Sequence, residues 1–252
     1  MRTGNPALNG KVFQQFEATA NDRYDVAGAA TTMTVAGTTF KTGILLLLAI
    51  LTAGFTWNLS LAGQAAMPWM IGGMIGGLAL ALVTIFKPKW SPVTAPGYAL
   101  AEGLLLGGIS AMYSTLYDGI IVQAVMLTFG TMLSMLIAYG LGLVRATEKF
   151  RAGVFAATGG ICLVYLVSFV MSFFGTSIPY IHGSGLIGIG FSLFVIVVAA
   201  LNLVLDFDFI ERGAAAKAPK YMEWYGAFGL MVTLVWLYIE ILRLLSKLSR
   251  RN

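Results

Sequence analysis

The chain is predicted to be an all-α membrane protein with seven transmembrane helices. Three observations carry that prediction. Apolar residues make up 58% of the chain and charged residues only 11%, and the mean hydropathy of +0.83 is far above that of water-soluble domains. Seven stretches are long and apolar enough to cross about 30 Å of hydrocarbon as helices of about 20 residues. Finally, lysine and arginine alternate between connectors as the positive-inside rule requires.

The polar segment 1–40 comes first. It lacks the short apolar core of a cleavable signal peptide, so the first span would act as the targeting signal. Spans are expected at 42–60, 67–86, 95–116, 119–143, 153–174, 185–210 and 224–245. The connectors are short, so 41–252 reads as one membrane domain behind a cytoplasmic tail, 1–40. Gly72, Gly73, Gly76 and Gly77 on the second span, and Gly103 and Gly107 on the third, have the spacing that lets helix backbones approach closely in lipid.

Orientation follows from the loops. Arg2, Lys11, Arg23 and Lys41 precede the first span, and Lys87 and Lys89 follow the second. Arg145, Lys149 and Arg151 follow the fourth span, and Arg212, Lys217 and Lys220 the sixth. The intervening connectors 61–66, 117–118 and 175–184 contain neither lysine nor arginine. The N-terminus is therefore expected in the cytoplasm. Lys247, Arg250 and Arg251 run against the rule, because seven crossings would place them outside. Either the seventh segment re-enters without crossing, or the six earlier helices override the tail.

Several function classes drop out. The net charge of +5 comes from 16 basic residues dispersed over loops and tails, with no basic stripe that nucleic acid would require. Cys162 is the single cysteine and has no partner for an intramolecular disulfide. One histidine and one cysteine make no typical zinc site. His182-Gly183-Ser184-Gly185 resembles a serine nucleophile motif only superficially, since it falls in a connector and adjacent residues seldom form a Ser-His pair. Ser184 reads better there as a helix N-cap. No enzyme and no cofactor are expected.

The acids are the informative feature. Glu102, Asp206, Asp208 and Glu240 interrupt apolar runs, whereas among the basic residues only Arg243 does so. A carboxylate in hydrocarbon costs several kcal/mol unless it pairs, protonates or lines a wet cavity, so cations or protons are the expected clients. Asp208 has a plain alternative as an interfacial residue near Glu211 and Arg212. Glu240 has one as an i,i+3 partner of Arg243. Glu102 is either a buried structural glutamate or a pathway residue supporting the other acids.

Asp206 and Glu240 reach compatible depths under one layout. If helix six runs to about 213, ending at Gly213, and helix seven enters near 229, the two acids lie ~10 Å and ~16 Å into the membrane. Residues 217–225 would then lie in the interface, where Tyr221, Trp224 and Tyr225 are at home. Two facing carboxyls would share a proton and titrate together, and once deprotonated they would offer hard oxygen ligands for calcium.

The stretches Leu205-Asp206-Phe207-Asp208-Phe209-Ile210 and Leu237-Tyr238-Ile239-Glu240-Ile241-Leu242-Arg243 resemble the paired signatures of the transmembrane Bax inhibitor motif family. Asn5-Pro6-Ala7-Leu8, Lys41-Thr42-Gly43-Ile44 and Pro219-Lys220-Tyr221-Met222-Glu223-Trp224-Tyr225 extend the resemblance to its bacterial YccA-like branch. The resemblance implies a central seventh helix ringed by the other six. It also implies a proton-sensitive calcium leak in a bacterial inner membrane, with Asp206 and Glu240 as the gating pair and a potential calcium site. Glu240 replaces the family's usual aspartate, which keeps the carboxyl on a longer arm. The family's basic gating residue has no certain counterpart, and Lys87 or Lys89 is the expected one. The branch also implies an alternative role without transport, as a regulatory partner of a membrane protease such as FtsH.

Overall fold

A computed structural model describes residues 32–175 and 183–250. Most of the polar segment 1–40 lies outside the described residues, with Asn5-Pro6-Ala7-Leu8, His182 and Arg251. Seven α-helices follow one another: α1 (Val35–Leu61), α2 (Met67–Phe86), α3 (Ser91–Leu116), α4 (Ile120–Gly140), α5 (Glu148–Phe173), α6 (Leu186–Ala215) and α7 (Met222–Ser249). A 3₁₀ turn, Pro88–Trp90, leads into α3. All seven are long and apolar enough to cross a membrane. Among the described residues there is no strand, only an isolated antiparallel bridge between Thr32 and Pro219.

α2 matches its expected span and α4 is a few residues shorter, while the other five helices extend beyond their apolar runs, in places because polar residues cap them. Thr34 accepts a hydrogen bond from the Gly37 amide, so α1 starts at Val35 instead of 42. Thr147 accepts from the Phe150 amide and starts α5 at Glu148. The first cap position of α6 is Gly185, whose carbonyl accepts from the Ile189 amide, one residue past the expected Ser184. At its other end α6 passes through Gly213, the expected stop. Lys217 takes the left-handed conformation (φ 52°) instead. Its amide donates to Ala214 and that of Ala218 to Gly213, the pattern that closes a helix C-terminus. α7 runs unbroken for 28 residues, about 42 Å, which is a crossing length.

The chain divides into two compact units. The first comprises the described residues of Pro6–Thr115 together with Asp206–Val232. Here α3 is held by glycines on two sides. A Cβ at Gly103 would strike Thr52 and the Ala49 backbone of α1, and one at Gly107 would strike Ala53 and Thr56. Thr52 Oγ1 also donates to the Leu100 carbonyl at 2.9 Å. On the α2 side it is Gly73 and Gly77 that meet α3, while Gly72 faces open space.

The second unit comprises Leu116–Leu205 and the described residues of Thr233–Asn252. One apolar cluster joins Ala146, Val154, Val204 and Leu205, and another joins Ile161, Val195 and Val198 with Tyr165, Phe191 and Trp236 around it. Between them Asn202 Nδ2 donates to Thr158 Oγ1 at 2.8 Å. α6 and α7 are the most enclosed helices: 50% and 56% of their apolar stretches are buried, against 17% for α1, α2, α4 and α5. α6 still exposes Leu193, Phe194 and Val197 on one face, an apolar surface suited to lipid.

Candidate functional site

The acids sort by their surroundings. Asp206 is completely buried in the C-terminal third of α6. Asp208, one residue pair later, accepts from Arg212 Nε at 3.0 Å in an i,i+4 pair. It therefore behaves as the interfacial acid of the two. Asp206 belongs to the first unit and Glu240 to the second, so each is described among its own neighbours.

Glu240 is buried on α7 and held by two donors that share one oxygen. Tyr165 of α5 donates its hydroxyl to Oε1 at 2.7 Å, and Arg243 Nη1 donates to the same Oε1 at 2.8 Å. The guanidinium also lies 5.2 Å from the centre of the Tyr165 ring, within cation–π range. Oε2 is buried without a hydrogen bond among the described residues. The i,i+3 pairing with Arg243 is thus real, yet it does not make Glu240 a surface residue. One turn further on, Lys247 Nζ donates to the Gly188 carbonyl and to Ser192 Oγ of α6, both at 2.9 Å.

Glu102 lies half-buried on α3 against the glycine face of α2. A Cβ at Gly77 would come within 3.2 Å of its Oε2. Among the described residues no hydrogen bond or ion pair reaches it. Lys87 and Lys89 are exposed on the connector before α3 and pair with no carboxylate among the described residues. Nor do three or more His, Cys, Asp or Glu side chains gather at metal-binding range among the described residues.

An acid that sequence reasoning passed over has dense polar surroundings in the first unit. Glu223, in the first turn of α7, is buried and pairs with Lys41 of α1. Its Oε1 also accepts from Lys220 Nζ, from the Thr34 amide and from Thr34 Oγ1, each at 2.9 Å. Lys41 Nζ sits 5.3 Å from the Trp224 ring centre. Gly37 provides the room, since a Cβ there would collide with the Glu223 carboxylate. The Met33 amide donates to Ala218 at 2.7 Å, and Ser91 Oγ donates to Tyr221 at 2.9 Å, so the approach to α7 is fastened to both α1 and α3. The available signal was that Lys41 and Glu223 stand in two of the stretches that carry the family resemblance. Tyr165 and Asn202 were missed because a search for charges in apolar runs ignores neutral polar groups.

The profile of the family described as Bax inhibitor 1 like matches residues 5–250, nearly the whole chain. No curated protein and no solved structure gives a significant match. With seven apolar helices, buried acids on the sixth and seventh, and a match over almost its full length, the chain is an integral membrane protein that belongs to the Bax inhibitor 1-like family.

Proposed function

We propose that the protein is a pH-sensitive cation leak that passes calcium, gated by Asp206 and Glu240, in a bacterial inner membrane with its N-terminus in the cytoplasm. The observation that carries this reading is the burial of a carboxylate on each of the two most enclosed helices of a member of this family. Acids are retained at such depth at a cost of several kcal/mol, which selection tolerates where ions or protons are handled. Shared protonation would favour the closed arrangement, and loss of the proton would set the carboxylates against each other.

The test is calcium influx into dye-loaded liposomes carrying the purified protein, at pH 6 and pH 8. Asp206→Asn and Glu240→Gln should each abolish the pH dependence while the protein still folds. Unchanged pH dependence in both variants would remove the gating pair.

A second reading has its own support. Glu240 is engaged by Arg243 and Tyr165, as a carboxylate serving only to join helices would be. On that reading the protein regulates a membrane protease such as FtsH and transports nothing. Liposomes with no flux above background at either pH would favour it.

A further inference from the structure

The second unit contains a cation already seated on Glu240. Arg243 reaches Oε1 at 2.8 Å and stacks over the Tyr165 ring, while Tyr165 loads the same oxygen. The other oxygen, Oε2, is buried without a hydrogen-bond donor among the described residues. Glu240, Arg243 and Lys247 follow at intervals of three and four, on one face of α7. Locally, then, one acid stands beside two basic side chains, with the Tyr165 phenol from α5 on Glu240 and Ser192 of α6 on Lys247.

That arrangement is hostile to a divalent ion. Calcium requires six to eight oxygen ligands and a surplus of negative charge. Here a guanidinium neutralises the carboxylate, and a second cation stands one turn away. Yet the arginine is not locked in: its side chain is 41% exposed while that of Glu240 is 2% exposed. Swung outward, it would leave Oε2 without a neighbouring cation and Oε1 with the Tyr165 hydroxyl alone.

We propose that the Arg243 guanidinium is a tethered cation, which occupies Glu240 in place of a metal ion and must leave before a divalent ion can bind there. Arg243 is then a specificity-determining residue, setting the preference between divalent and monovalent ions. As a statement about permeation, the inference rests on the cation-leak reading; as a statement about binding at Glu240 it does not.

The experiment uses terbium as the probe of the site, on the purified full-length protein in detergent. Tyr165 touches Glu240, and Trp236 belongs to the same packed cluster, so bound terbium would be sensitised by these rings. The wild type should show weak emission. Arg243→Met should bind terbium at least about tenfold more tightly, as loss of one nearby positive charge in a partly buried site implies. Arg243→Lys keeps the charge and should stay near the wild type. The double variant Arg243→Met with Glu240→Gln should lose the gain.

Tight, Glu240-dependent terbium binding by the wild type would overturn the proposal without recourse to any arginine variant. So would a gain in Arg243→Met that survives Glu240→Gln. In liposomes, Arg243→Met should raise the ratio of calcium to potassium flux, and an unchanged ratio in a conducting protein would overturn the specificity role. A terbium gain accompanied by no flux in any variant would uphold the tethered cation and sink the leak.

Discussion

Lys41 and Glu223 form a buried ion pair across 182 positions of sequence, joining the first turns of α1 to the first turn of α7. The pair is supported by Lys220 and by two donors from Thr34. Its carboxylate fills the space that Gly37 leaves open. Such a junction fixes where α7 begins, and so the depth of everything further along it.

Removing the carboxylate should therefore be costly. Glu223→Ala removes the acceptor of a half-buried lysine and of two donors on the exposed Thr34, so a loss of about 1–3 kcal/mol is expected. Lys41→Met should cost less, because Lys220 and Thr34 still serve the carboxylate. Thermal unfolding in detergent, read for both single variants and the double, gives the coupling. Independent, additive losses would show that the two side chains do not interact.

Glycine faces make an equally specific prediction. Gly107→Ala drives a methyl into the Ala53 carbonyl and Thr56 of α1, so a loss of about 1–3 kcal/mol is expected from overpacking. Gly72→Ala meets nothing within 4 Å and should be neutral or slightly stabilising, since alanine costs less chain entropy in a helix. Equal effects at the two positions would contradict the packing of α3 against α1.

Lys217 offers a stabilising change. Its φ of 52° is a conformation that L side chains adopt at a cost of about 1–2 kcal/mol, at the position where helix ends favour glycine. Lys217→Gly should raise the unfolding midpoint by the equivalent of about 1 kcal/mol. A lower midpoint would mean that the lysine side chain contributes more than its backbone costs.

Asp208 separates the interfacial acid from the proposed gating acid. Its i,i+4 pairing with Arg212 joins a 13% exposed carboxylate to a 38% exposed guanidinium, a partly screened pair worth about 1 kcal/mol or less. Asp208→Asn should leave both stability and the pH profile of calcium flux close to the wild type, whereas Asp206→Asn should flatten the profile. If Asp208→Asn flattened it as well, the distinction between the two acids would be lost.

By itself, the sequence determined the seven helices, because each is written locally in about 20 consecutive apolar residues. It also determined which acids lie in those runs, and it offered the contact of Glu240 with Arg243 as one of two readings, because one helical turn brings them together. Only the tertiary structure decided the rest. That Gly73 and Gly77, not Gly72, face α3 depends on helix rotation, to which the small-residue spacing is blind. The cap at Lys217 overrode Gly213 because the closing amides of Lys217 and Ala218 bond back to Ala214 and Gly213, and the Ala218 carbonyl is taken by the distant Met33 amide. The Tyr165 hydroxyl on Glu240 and the Lys41–Glu223 junction join residues 75 and 182 positions apart. Contacts of that span arise only when separate helices are docked, since the energy that orders them is shared among packing, charge and hydrogen bonds that no local stretch contains.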